Sequence, residues 1–142
     1  MSHKTLLYSL LFGFCLTTGL KGQSRGLQWE PLDIELTATA NHAWWEFPVT
    51  ATFKHISSGR ELDVDGFYDG QDHYVIRFAA PLPGSWTYAT ASSDDGLNKH
   101  VGTIDVAQPE PAEIVANPNL HGQLKISPQG RSFQHADGTP FL

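Results

Sequence analysis

From about residue 29 the chain alternates apolar and polar positions with a period of two, the repeat of a half-buried β-strand. Ile34 and Leu36 alternate with Glu35 and Thr37, and Val49, Ala51 and Phe53 with Thr50 and Thr52. Leu62 and Val64 alternate with Glu61, Asp63 and Asp65, while Tyr74, Ile76 and Phe78 share a face opposite His73 and Arg77. Trp86 and Tyr88 share a face across Thr87, and Ile104 and Val106 share one across Asp105. Turn formers separate these runs: Ser58-Gly59, Asp69-Gly70, Pro83-Gly84 and Asp95-Gly96. Pro-Gly sets a fixed φ before a residue that tolerates φ > 0, and Asp-Gly suits hairpin turns. No heptad, internal repeat or convincing amphipathic helix interrupts the pattern. About seven short strands, each with one apolar face, predict an all-β fold: an immunoglobulin-like antiparallel β-sandwich over residues 27–107.

The pattern fades at Gln108. Residues 108–120 hold three prolines and little periodicity, and read as a linker. Beyond them, residues 121–142 contain a short strand, GQLKIS, and a hairpin around Ala136-Asp137-Gly138-Thr139-Pro140 whose second strand has barely begun at Phe141-Leu142. An apolar stop inside an unfinished element leads us to expect a truncated chain.

At the other end the alternation is absent. Residues 1–4 carry Lys4 and no acid, an apolar stretch follows, and small residues appear near Gly22. This is the layout of a secretory signal peptide over residues 1–22, too short to span a bilayer comfortably. Phe14 stands where a small residue should precede a lipidated Cys15, which argues against lipidation. A secreted or periplasmic location follows, with no membrane association after cleavage.

Composition then narrows the function classes. Cys15 is the only cysteine, so the chain after the leader can form no disulfide and no thiolate metal site. The net charge of −6 moves to −8 once Lys4 and Lys21 are removed. An acidic domain without a basic cluster is a poor partner for nucleic acid. Charged residues make up 17% of the chain, which fits short strands and tight turns better than charge-laced helices.

An ordered series of motifs adds a resemblance: GFYDG at 66–70, YVIRF at 74–78, PGSWTY at 83–88, GTIDV at 102–106, HGQLKIS at 121–127 and FQHADGTPFL at 133–142. The series resembles the N-terminal immunoglobulin-like domain of unknown function that precedes the (β/α)8 barrel of apiosidase-like bacterial glycoside hydrolases. The resemblance runs from Trp29 to Leu142. It implies that residues 121–142 are the start of a catalytic barrel domain that is missing here, and that this barrel is the sandwich's own partner. One departure stands out: Trp44-Trp45-Glu46-Phe47 replaces an Asn-Pro-Phe-type turn.

Chemistry is sparse in the residues themselves. Glycoside hydrolysis needs two carboxyl groups facing each other across a sugar, usually at the ends of barrel strands. Asp63, Asp65, Asp69, Asp72, Asp94 and Asp95 instead sit in strands and turns, where acids solubilise and protect edges. DVDGFYDGQD fails the calcium-loop pattern because Gly66 and Phe67 fall at the wrong positions. The histidines lack zinc spacing and no nucleophile elbow occurs. We therefore expect no catalytic residue, no metal and no cofactor. Trp44 and Trp45 are the candidates for carbohydrate or interdomain contact, since neighbours on an extended segment point to opposite sides. Asp69, Gly70, Arg77, Gly84 and Trp86 are expected in structural roles, with Arg77 pairing near the Asp69 turn and Trp86 in the core. The expected function is a non-catalytic accessory domain of a secreted glycoside hydrolase. The alternatives are a polysaccharide-binding module using exposed tryptophans, or a structural cell-surface spacer.

Overall fold

The computed structural model describes residues 24–39 and 48–141. Within them, strands β1 (Ser24–Leu27), β8 (Val101–Ala107), β7 (Gly84–Ser92), β3 (Val49–His55) and β4 (Glu61–Asp65) form one sheet in that order. The facing sheet is β2 (Pro31–Thr37), β6 (His73–Ala79) and β5 (Phe67–Gly70). Naming β2 to β8 as strands B, C, C′, D, E, F and G gives sheets B-E-D and G-F-C-C′, the order of an immunoglobulin sandwich. The all-β sandwich expected from the alternation is therefore present.

One pairing departs from a purely antiparallel sandwich: β1 lies parallel to β8. The chain enters beside the last strand and then changes sheets within a turn. Gln28 N still bonds to Ala107 at the end of β8, whereas Trp29 N bonds to Ala80 just past β6. A second change of sheet occurs at Gly66, between β4 and β5. There a Cβ would come within 2.6 Å of a Val49 methyl, so the crossing needs glycine.

The apolar alternation fills the space between the sheets. Val49, Ala51, Phe53, Trp86, Ile104 and Val106 face Leu36, Tyr74, Ile76 and Phe78. Phe53 on β3 and Phe78 on β6 stack across the gap, ring centroids 3.8 Å apart and planes within 7°. The Trp86 ring meets Phe78 edge-on at 5.2 Å and 66°. Face-to-face stacking is not the preferred quadrupole geometry, so this contact owes its strength mainly to burial. Phe53 and Trp86 are 0% exposed and Phe78 is 2% exposed.

Past the sandwich, residues 111–116 form a short helix, α1 (Pro111–Ala116), followed by a 3₁₀ turn over Pro118–His121. The segment read as a linker thus has local structure. Pro111 opens the helix, and Glu113 reaches back to accept from the Glu110 backbone N–H at 2.7 Å. No helical residue is buried. Strands β9 (Leu124–Ile126) and β10 (Phe133–His135) then pair as an antiparallel hairpin.

Truncating the stacked ring should be costly. We expect Phe53→Ala or Phe78→Ala to lose about 3–5 kcal/mol, a large share of a domain's usual stability. Urea unfolding followed by intrinsic fluorescence would check this, and Phe53→Leu should lose clearly less.

Candidate functional site

Trp44 and Trp45 lie outside the described residues. The remaining residues singled out by sequence can be placed. Trp86 is in the core, and its indole N–H donates to Leu82 O at 3.0 Å. Asp69 and Gly70 end β5 rather than forming the hairpin turn themselves. Gly70 sits at a register shift with φ 96°, and the left-handed pair Gln71 and Asp72 makes the reversal. Gly84 opens β7 with φ 119°.

Arg77 pairs with Asp33, its direct cross-strand neighbour, rather than with Asp69. Nε and Nη2 each donate to a different Asp33 oxygen at 2.7 Å, a two-pronged contact. These bonds hold the Asp33 carboxyl below its ordinary range and raise Arg77 above its own. Asp69 adds only a weaker electrostatic pull. Both members are well exposed, so the pair contributes little to stability.

Two residues, His55 and Asp94, organise the turns. His55 is buried beside Trp86, with ring centroids 4.9 Å apart. Pro83 O can only accept, so His55 Nε2 carries the hydrogen for the 3.1 Å bond to it, and Nδ1 accepts from the Ser58 hydroxyl at 2.8 Å. One imidazole therefore ties the Ser58-Gly59 turn to the Pro83-Gly84 turn. Asp94, expected to be a solubilising turn residue, is 5% exposed. Its carboxylate accepts from Thr39 N at 3.0 Å, Thr39 Oγ1 at 2.7 Å and Gly96 N at 2.8 Å. Burial opposes its charge, but these donors outweigh that and hold the carboxyl below the ordinary range.

The outer face of the larger sheet carries an open concavity of about 560 Å³, lined by Thr52, Lys54, Glu61, Thr87, Val101 and Thr103 among others. Its one acid, Glu61, accepts from Lys54 at 2.8 Å, and farther along the same strand pair Thr52 donates to Asp63 at 2.6 Å and Thr50 to Asp65 at 2.8 Å. Tyr88, which also borders it, lies with its ring against Gly102, and burial raises its hydroxyl pKa. Small polar side chains of this kind offer little flat aromatic surface for stacking on a sugar. Among the described residues no group of three or more His, Cys, Asp or Glu is arranged to hold a metal.

The C-terminal hairpin presents a different surface. Ile126 and Phe133 are direct cross-strand partners, and Leu124 shares the face of Ile126. Their exposures are 68%, 56% and 47%, and nearby Phe141 is 49% exposed. The opposite end of the hairpin is clamped to the 3₁₀ turn. His121 Nδ1 meets Asp137 Oδ2 at 2.6 Å, Asp137 N donates to His121 O, and Thr139 N donates to Asp137 Oδ1 at 2.8 Å. His135 Nδ1 donates to Gly122 O at 3.1 Å. Partial burial disfavours the Asp137 charge, but the His121 and Thr139 bonds dominate and lower its carboxyl to about 2.

These shifts have a definite sign. Asp94 and Asp137 bind protons less readily when folded than when unfolded, where Asp titrates near 3.9. Their stabilisation is complete above that value and is lost as pH falls, for Asp137 between about 4 and about 2. We expect the urea midpoint to drop on acidification across this window. Asp137→Asn should flatten the hairpin's share of that drop, and Asp94→Asn should lower stability at pH 7 and flatten the sandwich's share. Chemical-shift titrations of hairpin and sandwich amides would separate the two.

Residues 26–93 match the family model "Domain of unknown function (DUF5060)". No curated protein matches the chain. Six chains of known structure do. One of them is described as a "putative glycoside hydrolase" from Bacteroides vulgatus ATCC 8482; it is 27% identical over 84% of this chain, with a TM-score of 0.69. This chain spans 21% of that one, about a fifth of its length. Residues 26–93 are thus similar to a domain of unknown function, and the chain is similar in fold and sequence to part of a much longer protein described as a putative glycoside hydrolase.

Proposed function

We propose that the chain is a non-catalytic accessory domain that seats a carbohydrate-active catalytic domain through its C-terminal hairpin. The observation that carries this reading is the exposed apolar face formed by Leu124, Ile126 and Phe133, with Phe141 beside it. A two-stranded hairpin is marginal in water by itself, and three-residue strands are shorter than most. Exposed apolar side chains grouped on such an element call for a cover.

The solved relative supports the choice of cover. The first 107 residues are about three quarters of the 142, so an 84% match must extend beyond the sandwich into the C-terminal segment. That relative is far longer than this chain, which leaves ample protein to lie on the hairpin. On this reading residues 1–22 act as an export leader and the mature chain works outside the cytoplasm. The following (β/α)8 barrel would be the partner and would hold the carboxylates that glycoside hydrolysis requires.

The test compares hydrogen exchange in this chain with exchange in a form extended by its natural downstream sequence. We expect the amides of residues 124–135 to gain protection in the extended form, and Ile126→Asp with Phe133→Asp to abolish the gain. Equal exchange in both forms would sink the docking claim. Sugar release from a polysaccharide panel by this chain alone would sink the non-catalytic claim.

A further inference from the structure

We propose that Trp29 is a pin that fixes the orientation of the C-terminal unit, residues 108–141, on the sandwich. Trp29 lies in the turn where the chain leaves β1 for β2. Its backbone is left-handed, φ 67°, a region that bulky residues rarely occupy. The turn is held from both sides: Glu30 N donates to Leu27 O at 3.0 Å, the Glu30 carboxylate accepts from Leu27 N at 2.9 Å, and Trp29 N donates to Ala80 O at 3.0 Å. Gln28 Nε2 adds a bond to Pro81 O at 2.8 Å. The turn is thereby anchored to the end of the sandwich, and the strained residue at its tip carries the largest side chain available.

That side chain lies against the other unit. A Cβ built on Gly122 would fall 2.7 Å from both Cε2 and Nε1 of the Trp29 indole and 2.8 Å from Ala136 Cβ. Gly122 itself has φ 86°, so both partners in the contact adopt backbones of positive φ. Trp29 and Pro81 border two clefts at the junction. One, of about 270 Å³, is bordered by Gln108, Ile114, Leu120 and Asp137. The other, of about 280 Å³, is bordered by Arg60, Leu62 and Gln123. The bonds of His121, Asp137, His135 and Thr139 described above close the C-terminal unit on itself and do not reach the sandwich. With two clefts bordering Trp29, and polar bonds directed inward within one unit, the joint rests on that ring. Domains joined by small interfaces move relative to each other by default, so removing the ring should free the hinge.

The arrangement explains why a strained residue is tolerated. A right-handed backbone at position 29 would swing the indole away from Gly122, and the cost of φ 67° is offset by the packing it permits. The pin would also set how anything seated on the hairpin faces the sandwich, but it operates within this chain whether or not such a partner exists.

The test uses the full chain with Cys15→Ser, which leaves no other cysteine, and spin labels at Ser57→Cys and Gln129→Cys, both exposed. Pulsed electron–electron distance measurements should give one narrow distribution. Trp29→Ala should broaden it about twofold or more, while near-ultraviolet circular dichroism keeps the sandwich signature. Gly122→Ala, which pushes a methyl into the indole, should also shift or broaden the distribution. In the double variant the effect of Gly122→Ala should shrink, because the ring it strikes is gone. An unchanged distribution in Trp29→Ala overturns the proposal, as does full additivity of the two substitutions. Should Trp29→Ala not fold, Gly122→Ala alone decides: an unchanged distribution in that variant overturns the pin.

Discussion

The sandwich depends on the contact between Phe53 and Phe78, because no covalent link is available to hold its sheets together. The only cysteine is Cys15, within the proposed leader, so residues 24–142 cannot form the inter-sheet bridge that many sandwiches of this topology carry. Two stacked rings and the Trp86 edge occupy the space between the sheets instead. The consequences spread outward. Trp86 lies against His55, and His55 holds two turns that shape the ends of β3, β4 and β7. A polar latch on the rim is thereby coupled to an apolar core.

Much of this was legible because burial follows the period of the strand. Tyr74, Ile76 and Phe78 face inward as their alternation requires, and Trp86 is buried on the face that its neighbours define. What could not be read depends on register or on distance in sequence. Arg77 meets Asp33 because β2 and β6 pair at that offset, and nothing local to YVIRF specifies a partner 44 residues away. In DGQD either Asp-Gly or the following pair could reverse the chain. The bulge at Gly70 moved the turn to Gln71 and Asp72. Asp94 looked like a surface acid because its donors, Thr39 and Gly96, come together only after folding. The short helix does have a local signal, a proline at the first helical position with glutamate two residues later.

The tryptophans show the same division. Trp44 and Trp45 stand out in the sequence because neighbours on an extended segment point to opposite sides. Trp29, at the opening of the first strand, reads in the sequence as packing at the sandwich edge. Its role follows from the backbone: a left-handed turn aims the indole out of the sandwich toward Gly122. The residue type gave no hint of that direction.

The acids complete the argument about function. A glycosidase pair must leave two carboxyl groups free to face a sugar. Here Asp33 is held by Arg77, Asp63 and Asp65 by threonines, Asp94 by Thr39 and Gly96, Asp105 by Ser85, and Asp137 by His121 and Thr139. These carboxylates act as fasteners for strands and turns, and moving a proton on Asp137 would loosen the hairpin rather than cleave a bond. The hairpin carries a group of exposed apolar side chains, Leu124, Ile126 and Phe133. On the proposed reading, acids that serve cohesion and an apolar face on the hairpin suit a domain that acts as a base for another.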